Sequence, residues 1–261
     1  MTRLDSIEQN GRFRVKKTII VFIVLLFVTI GYLFFRSFQT PKGNTLINIT
    51  SNASSSFEKY PDLAKWKRPD GPIRVGLQVG HWKNNELPDE LSNLKKNGGT
   101  SGGGFPEWEV NLNIAQKVKQ LLEEKEIVVD LLPATIPPGY FADAFVAIHV
   151  DGSTDRSVSG FKVASPRRDM SGNAGKLQQI INETYTKVTG FPQDSNITRN
   201  MTGYYAFSWR RFDHSLHPMT PATILETGFL TNPSEAKLLT KNPSIPAKAI
   251  ADALLRFLRI T

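Results

Sequence analysis

The segment Ala144-Phe145-Val146-Ala147-Ile148-His149-Val150 constrains what this chain can fold into more than any other. A strand with one wetted face alternates apolar and polar residues. This one is apolar nearly throughout, as a strand buried on both faces of a mostly parallel sheet would be. Parallel strands need crossover connections, so strand and helix should alternate along the chain. They do. Residues 73–79 carry apolar side chains at every second position, 127–132 and 222–226 are further strand candidates, and 160–164 is a shorter one.

After Pro106, Val110, Ile114, Val118, Leu121 and Leu122 recur at helical spacing, and Leu177, Ile180, Ile181, Tyr185 and Val188 mark a second helix. Asn232-Pro233-Ser234-Glu235 combines a capping residue, a first-turn proline and a glutamate three residues on, which is a helix start. A last amphipathic helix runs through 246–259. Residues 82–106 hold five glycines and no period, so they read as a long irregular loop that gates a groove. The expected fold is an α/β domain over 71–261, with a mostly parallel central sheet covered by helices.

Upstream, residues 18–35 contain no charge across eighteen positions, which just suffices for a membrane-spanning helix. The run ends in Tyr32-Leu33-Phe34-Phe35-Arg36 without a small-residue cleavage site, so it reads as an uncleaved signal anchor rather than a secretory leader. Arg12, Arg14, Lys16 and Lys17 on its amino side keep 1–17 in the cytoplasm and place the rest outside, in a single-pass cell-membrane protein. Residues 36–70, rich in Ser, Asn, Thr, Pro and Lys, read as a tether. Of the net charge of +8, the tail contributes +3, and no like-charge run follows; nucleic acid is therefore not an expected partner.

The chain has no cysteine and four histidines, at 81, 149, 214 and 217, so any metal must be held by His, Asp or Glu. In mostly parallel sheets, sites form beyond the carboxyl ends of the strands. His81 follows the first strand, His149 lies near the end of the most apolar one, and Glu226 ends the last; Glu107 and Glu109 open the first helix beside the loop after His81. Two histidines and a carboxylate with a place left for water make a hydrolytic zinc arrangement, and a second carboxylate serves as general base and then acid. Each residue also has a plainer role. A strand-end histidine is often structural, first-turn glutamates complement a helix dipole, and Glu226 could cap a turn.

At these residues the sequence resembles the zinc-dependent N-acetylmuramoyl-L-alanine amidases of cell-wall remodelling, over roughly 73–240. Four segments in the family's order carry the resemblance: Val79-Gly80-His81; Glu107-Trp108-Glu109-Val110-Asn111-Leu112-Asn113-Ile114-Ala115; Phe145 to His149; and Pro221 to Asn232, which contains Glu226-Thr227-Gly228-Phe229-Leu230. The resemblance implies that His81, Glu107 and His149 bind Zn2+, with Glu107 chosen over Glu109 by its offset from Val110-Asn111-Leu112. It implies that Glu226 is the catalytic carboxylate, and that the fold is three-layer α/β with helices on both faces of the mostly parallel central sheet. The substrate implied is peptidoglycan, cut at the amide between N-acetylmuramic acid and L-alanine.

Two other functions stay open at this level: a wall-binding module of the same fold without turnover, and a zinc peptidase cutting another amide. His214 and His217 suggest a substrate contact or an exposed loop, and Arg167-Arg168 and Arg210-Arg211 read as solvated surface or as one pair holding a stem-peptide carboxylate. Asp151 follows His149 closely enough to be weighed as a further approach to the metal.

Overall fold

The strand expected to be buried on both faces is the middle of the sheet. In the computed structural model, which describes residues 59, 60 and 62–260, Ala144–Asp151 pairs on both sides, and all but its last residue are buried. The tail, the apolar run 18–35 and the tether up to residue 58 lie outside the described residues. Among the described residues no helix is long and apolar enough to cross a membrane.

In chain order the elements are β1 (Arg74–Val79), β2 (Ser101–Gly102), β3 (Phe105–Pro106), α1 (Glu107–Glu123), β4 (Val128–Leu132), β5 (Ala144–Asp151), β6 (Lys162–Ala164), α2 (Ala174–Thr189), α3 (Arg199–Thr202), β7 (Ala222–Phe229), α4 (Pro233–Lys241) and α5 (Ser244–Leu258). The sheet order is β4-β1-β5-β7-β6. All neighbours run parallel except the edge strand β6, which is antiparallel to β7. β2 and β3 form a separate two-stranded hairpin.

The pleat of β5 sends Ala144, Val146 and Ile148 to one face and Phe145 and Ala147 to the other. The first face is covered by long helices. Val110, Ile114, Val118 and Leu122 of α1, Leu177, Ile181 and Tyr185 of α2, and Ile250 and Leu254 of α5 bury there with Val75, Leu77 and Val79. Each such side chain contributes about 1.5–3 kcal/mol by leaving water. Tyr185 is fully buried because its hydroxyl donates to the Thr227 carbonyl at 2.8 Å.

The second face departs from the expected layer of helices. It is covered by Leu87, Leu91, Ala134, Ile136, Met201, Tyr205, Phe207 and Leu216, which come from loops, 3-10 turns and the one-turn α3. The β4–β5 connection, residues 133–143, is too short to carry a crossover helix, and it supplies Ala134 and Ile136 instead. The segment 82–106 likewise has structure that its composition hid: 3-10 turns Asn84–Glu86 and Asp89–Leu94, then the β2–β3 hairpin. Leu91 is buried there, with 1% of its surface exposed.

At the start of α4, Asn232 Oδ1 accepts the N–H groups of Ser234 at 3.0 Å and Glu235 at 3.3 Å, as the cap reading required. Glu235 does not turn back to the cap. Its carboxylate accepts the N–H groups of Gly160 and Phe229, each at 2.6 Å, joining β7 to the loop before β6. The described end of the tether lies on the domain. Tyr60 packs edge-on to His217 at 4.7 Å, Trp66 tilts against Phe141 at 5.0 Å, and the Arg68 guanidinium grips Asp143 at 2.5 and 2.8 Å.

Candidate metal centre

On the face without long helices, the strands end in a row of polar side chains. Gln78 pairs in register with Ala147, His149 with Glu226, and Glu226 with Lys162, so Gln78, His149, Glu226 and Lys162 stand near one another on four adjacent strands. The register shifts after His149, between it and Asp151, which breaks the ladder where the site begins.

His81, Glu107 and His149 converge on this end. One ligand atom from each lies within 4.8 Å of the others. His149 Nδ1 is 3.0 Å from Glu107 Oε1, and His81 Nε2 is 3.5 Å from the same oxygen. Glu107 is buried and Glu109 exposed, so the two candidates at the start of α1 separate without ambiguity. Glycine makes room for the cluster twice. A Cβ on Gly80 would overlap the His149 imidazole, and one on Gly99 would overlap the Glu107 carboxylate. His81 itself sits in the left-handed region at φ 62°, a conformation that ordinary residues hold only when their surroundings fix it.

Every outer atom of the cluster is held. Asn97 accepts from His81 Nδ1–H through its carbonyl at 2.8 Å, which leaves Nε2 facing Glu107. Thr100 N–H donates to Glu107 Oε2 at 2.9 Å; Val150 N–H and Asn111 Nδ2 donate to Oε1 at 3.2 and 3.3 Å. His149 Nε2 lies 3.4 Å from the Tyr204 hydroxyl, which donates to Gln78 Oε1 at 3.0 Å. Gln78 in turn gives its Nε2 hydrogens to the Ala134 carbonyl at 2.8 Å and the Tyr205 hydroxyl at 2.6 Å.

Burial alone would raise the Glu107 carboxyl, but the hydrogen bond and charge of His149, with His81 and Thr100, outweigh it and bring the group down to about 2. Burial lowers His81 against the raising charge of Glu107, whereas at His149 burial is outweighed by the hydrogen bond to Glu107 and the charge of Glu226, which raise it. Burial pushes the Glu226 carboxyl up to about 7, against the lowering charges of His149 and Lys162. Two imidazole nitrogens and an ionised carboxylate, each oriented from behind, fit a divalent cation of zinc's kind.

The cluster opens on two cavities, of about 470 and 490 Å³, both lined by His81, His149 and Glu226. Glu226 thus stands beside the cluster, in register with His149. Asp151 lines the second cavity but is not part of the cluster; its carboxylate pairs with Lys162, which also reaches Asp194 at 3.2 Å. His214 and His217 are elsewhere. His214 Nδ1 bonds Glu90 at 2.7 Å, and His217 is stacked among Tyr60, Trp66 and Phe141. Gln78, Asn97, Asn111 and Tyr204 were not singled out from the sequence. Only Gln78, a polar residue inside an apolar strand, carried a visible signal.

A mostly parallel sheet thus carries, at its strand ends, a His-Glu-His cluster that could hold a metal ion, with a second carboxylate beside it. The family model described as N-acetylmuramoyl-L-alanine amidase matches residues 75–256, and the chain belongs to that family of enzymes. Its fold is similar to that of N-acetylmuramoyl-L-alanine amidase AmiC2 of Nostoc punctiforme, with a TM-score of 0.53 at 20% identity over 73% of this chain and 99% of that one. It is also similar to the amidase Ami1 of Mycobacterium smegmatis (TM-score 0.52, 18% identity, 72% and 97% covered). An amidase of Clostridium difficile 630 gives a TM-score of 0.51 at 18% identity, with 73% and 98% covered. At these identities the likeness is one of fold. A comparison with curated proteins finds no match.

Proposed function

We propose that this chain is a zinc-dependent peptidoglycan amidase that cuts the amide between N-acetylmuramic acid and L-alanine, in cell-wall remodelling or cell separation. The observation that carries the reading is the convergence of His81, Glu107 and His149 within 4.8 Å, on cavities that Glu226 also lines. His81, Glu107 and His149 hold the zinc. What zinc supplies when bound is Lewis acidity, which polarises a carbonyl and lowers the pKa of water toward about 7.

The protein's part is orientation and proton movement. Asn97 and Tyr204 fix the two imidazoles from their outer nitrogens, and Thr100, Val150 and Asn111 hold the Glu107 carboxylate. Glu226 accepts the proton of the attacking water on its carboxylate and returns it to the leaving amine. Burial favours the protonated form of this carboxyl, which suits it to hand a proton on to the leaving amine.

Glu226→Gln is expected to retain zinc and lose hydrolysis of purified sacculi by about 100-fold or more, the scale of positioned acid–base catalysis. His81→Ala is expected to lose zinc as well. A zinc-free preparation that still cleaves sacculi would overturn the reading. The sequence of 18–35 supports a membrane-anchored enzyme whose domain faces the wall. Recovery of the full chain in the soluble fraction of its host would remove that part.

A further inference from the structure

Beside the cavity that contains His81, His149 and Glu226 lies a second one, of about 440 Å³, lined by five arginines: Arg167, Arg168, Arg199, Arg210 and Arg211. They come from three stretches that the sequence keeps apart. Arg167 and Arg168 follow β6, Arg199 opens α3, and Arg210 and Arg211 precede β7. The Arg167 N–H donates to the Thr202 carbonyl at 3.0 Å, joining the first stretch to the second.

Like charges gathered in this way repel, and folded surfaces ordinarily intersperse carboxylates among them. Here no carboxylate lines the cavity. Among the described residues, no ion pair is recorded for Arg167, Arg168, Arg199 or Arg211. The nearby acids in sequence are committed to other partners. Asp169 accepts the N–H groups of Ser171 and Ala174, each at 2.9 Å, and Asp213 pairs with Lys59 at 3.1 Å. Two guanidinium groups are supported on aromatic rings, Arg210 at 4.7 Å from Trp209 and Arg211 at 4.8 Å from Phe212, which limits the ordering cost of gripping an anion.

The cavity adjoins the groove of the His-Glu-His cluster. Gly203, Ser208 and Arg211 line both. A substrate whose scissile amide lies at His81, His149 and Glu226 therefore has a cationic chamber next along its length. We propose that this chamber binds carboxylate groups of the stem peptide on the leaving side of the cut, and that it selects acidic stems over amidated ones. The proposal rests on the amidase reading for the identity of the peptide. Guanidinium forks match carboxylates, and they also match phosphate, which wall polymers carry; the shared contiguity with the groove favours the peptide.

The test uses the full chain as Glu226→Gln, which binds without turnover, and two synthetic muramoyl peptides, one with free stem carboxylates and one with the same groups amidated. Calorimetry is expected to show the free-acid peptide binding about tenfold more tightly, a difference abolished in the added double change Arg168→Ala/Arg199→Ala. The double lysine change, Arg168→Lys/Arg199→Lys, keeps charge and fold but loses the paired N–H fork, and is expected to fall between. In otherwise wild-type protein the alanine pair raises KM for the free-acid peptide about tenfold while kcat changes less than about twofold, as loss of binding common to ground and transition states requires.

Equal affinity for the two peptides, or a preference that survives in the alanine pair, would overturn the proposal. So would arginine-dependent binding of poly(glycerol phosphate) without arginine-dependent binding of the peptide. Absence of wild-type turnover on both peptides would instead overturn the amidase reading, and the calorimetric difference would still decide the role of the chamber.

Discussion

His149 Nε2 and the hydroxyl oxygen of Tyr204 lie 3.4 Å apart, and the tyrosine's own proton is committed to Gln78 Oε1 at 3.0 Å. That commitment makes the phenol oxygen an acceptor for His149 Nε2, while Nδ1 faces Glu107 Oε1 at 3.0 Å. Gln78 cannot easily flip, because its Nε2 hydrogens are engaged by Ala134 and Tyr205. One cluster histidine is thus oriented from a neighbouring strand through a tyrosine on a loop.

Tyr204→Phe keeps the ring and removes this acceptor. Zinc affinity, read by competition with a coloured chelator, is expected to fall about 10–100-fold, the usual cost of losing an outer partner of a metal-ligating histidine. The melting temperature should change little. Unchanged affinity would show that Glu107 alone orients His149.

Leu91 offers a test of whether 82–106 is a free gate or part of the core. It is 1% exposed and packs in the cluster that covers the second sheet face. Leu91→Ala is expected to cost about 2–5 kcal/mol in denaturant unfolding, as buried leucine truncations do. A cost below about 0.5 kcal/mol, the surface range, would return the segment to the loop that its glycines suggested.

Glu90 lies one residue before Leu91 and accepts the N–H groups of Asp213 and His214 at 2.9 and 2.8 Å, with the His214 ring at 2.7 Å. Burial raises its pKa, but those donors outweigh burial and the net shift is downward from 4.5. A carboxyl lowered in the folded state stabilises it above the unfolded pKa and loses that contribution as pH falls through the folded value. Wild type should therefore exceed Glu90→Gln in stability at pH 6, and the gap should close as the pH falls below about 4. A gap independent of pH, measured by urea unfolding at each pH, would contradict the assignment.

The strands, and the placing of His81, His149 and Glu226 at their ends, were legible because they obey rules that act locally, whereas Glu107 was preferred to Glu109 by the family resemblance. β5 is apolar on both faces, and His81, His149 and Glu226 interrupt or end apolar strands where a mostly parallel sheet leaves room for a site. What was hidden lies in 82–106, 133–143 and 197–216. These segments bury Leu91, Ile136, Tyr205 and Phe207 through irregular turns, whose apolar residues follow no period that a sequence displays. For the same reason Tyr204 is invisible until the loop is folded, and Arg167-Arg168 and Arg210-Arg211 read as separate pairs while Arg199 gives no signal. Glu235 shows the opposite failure: its spacing from Asn232 fits a local capping motif, but two backbone N–H groups brought by tertiary structure claim its carboxylate.

The most direct measurement is mass spectrometry of the products released from purified sacculi by zinc-loaded protein, run beside a chelator-treated control. The proposed activity yields stem peptides with a new amino-terminal L-alanine and glycan strands with intact N-acetylmuramic acid, and none in the control. Peptides beginning at any other residue, or the same products from metal-free protein, would contradict it.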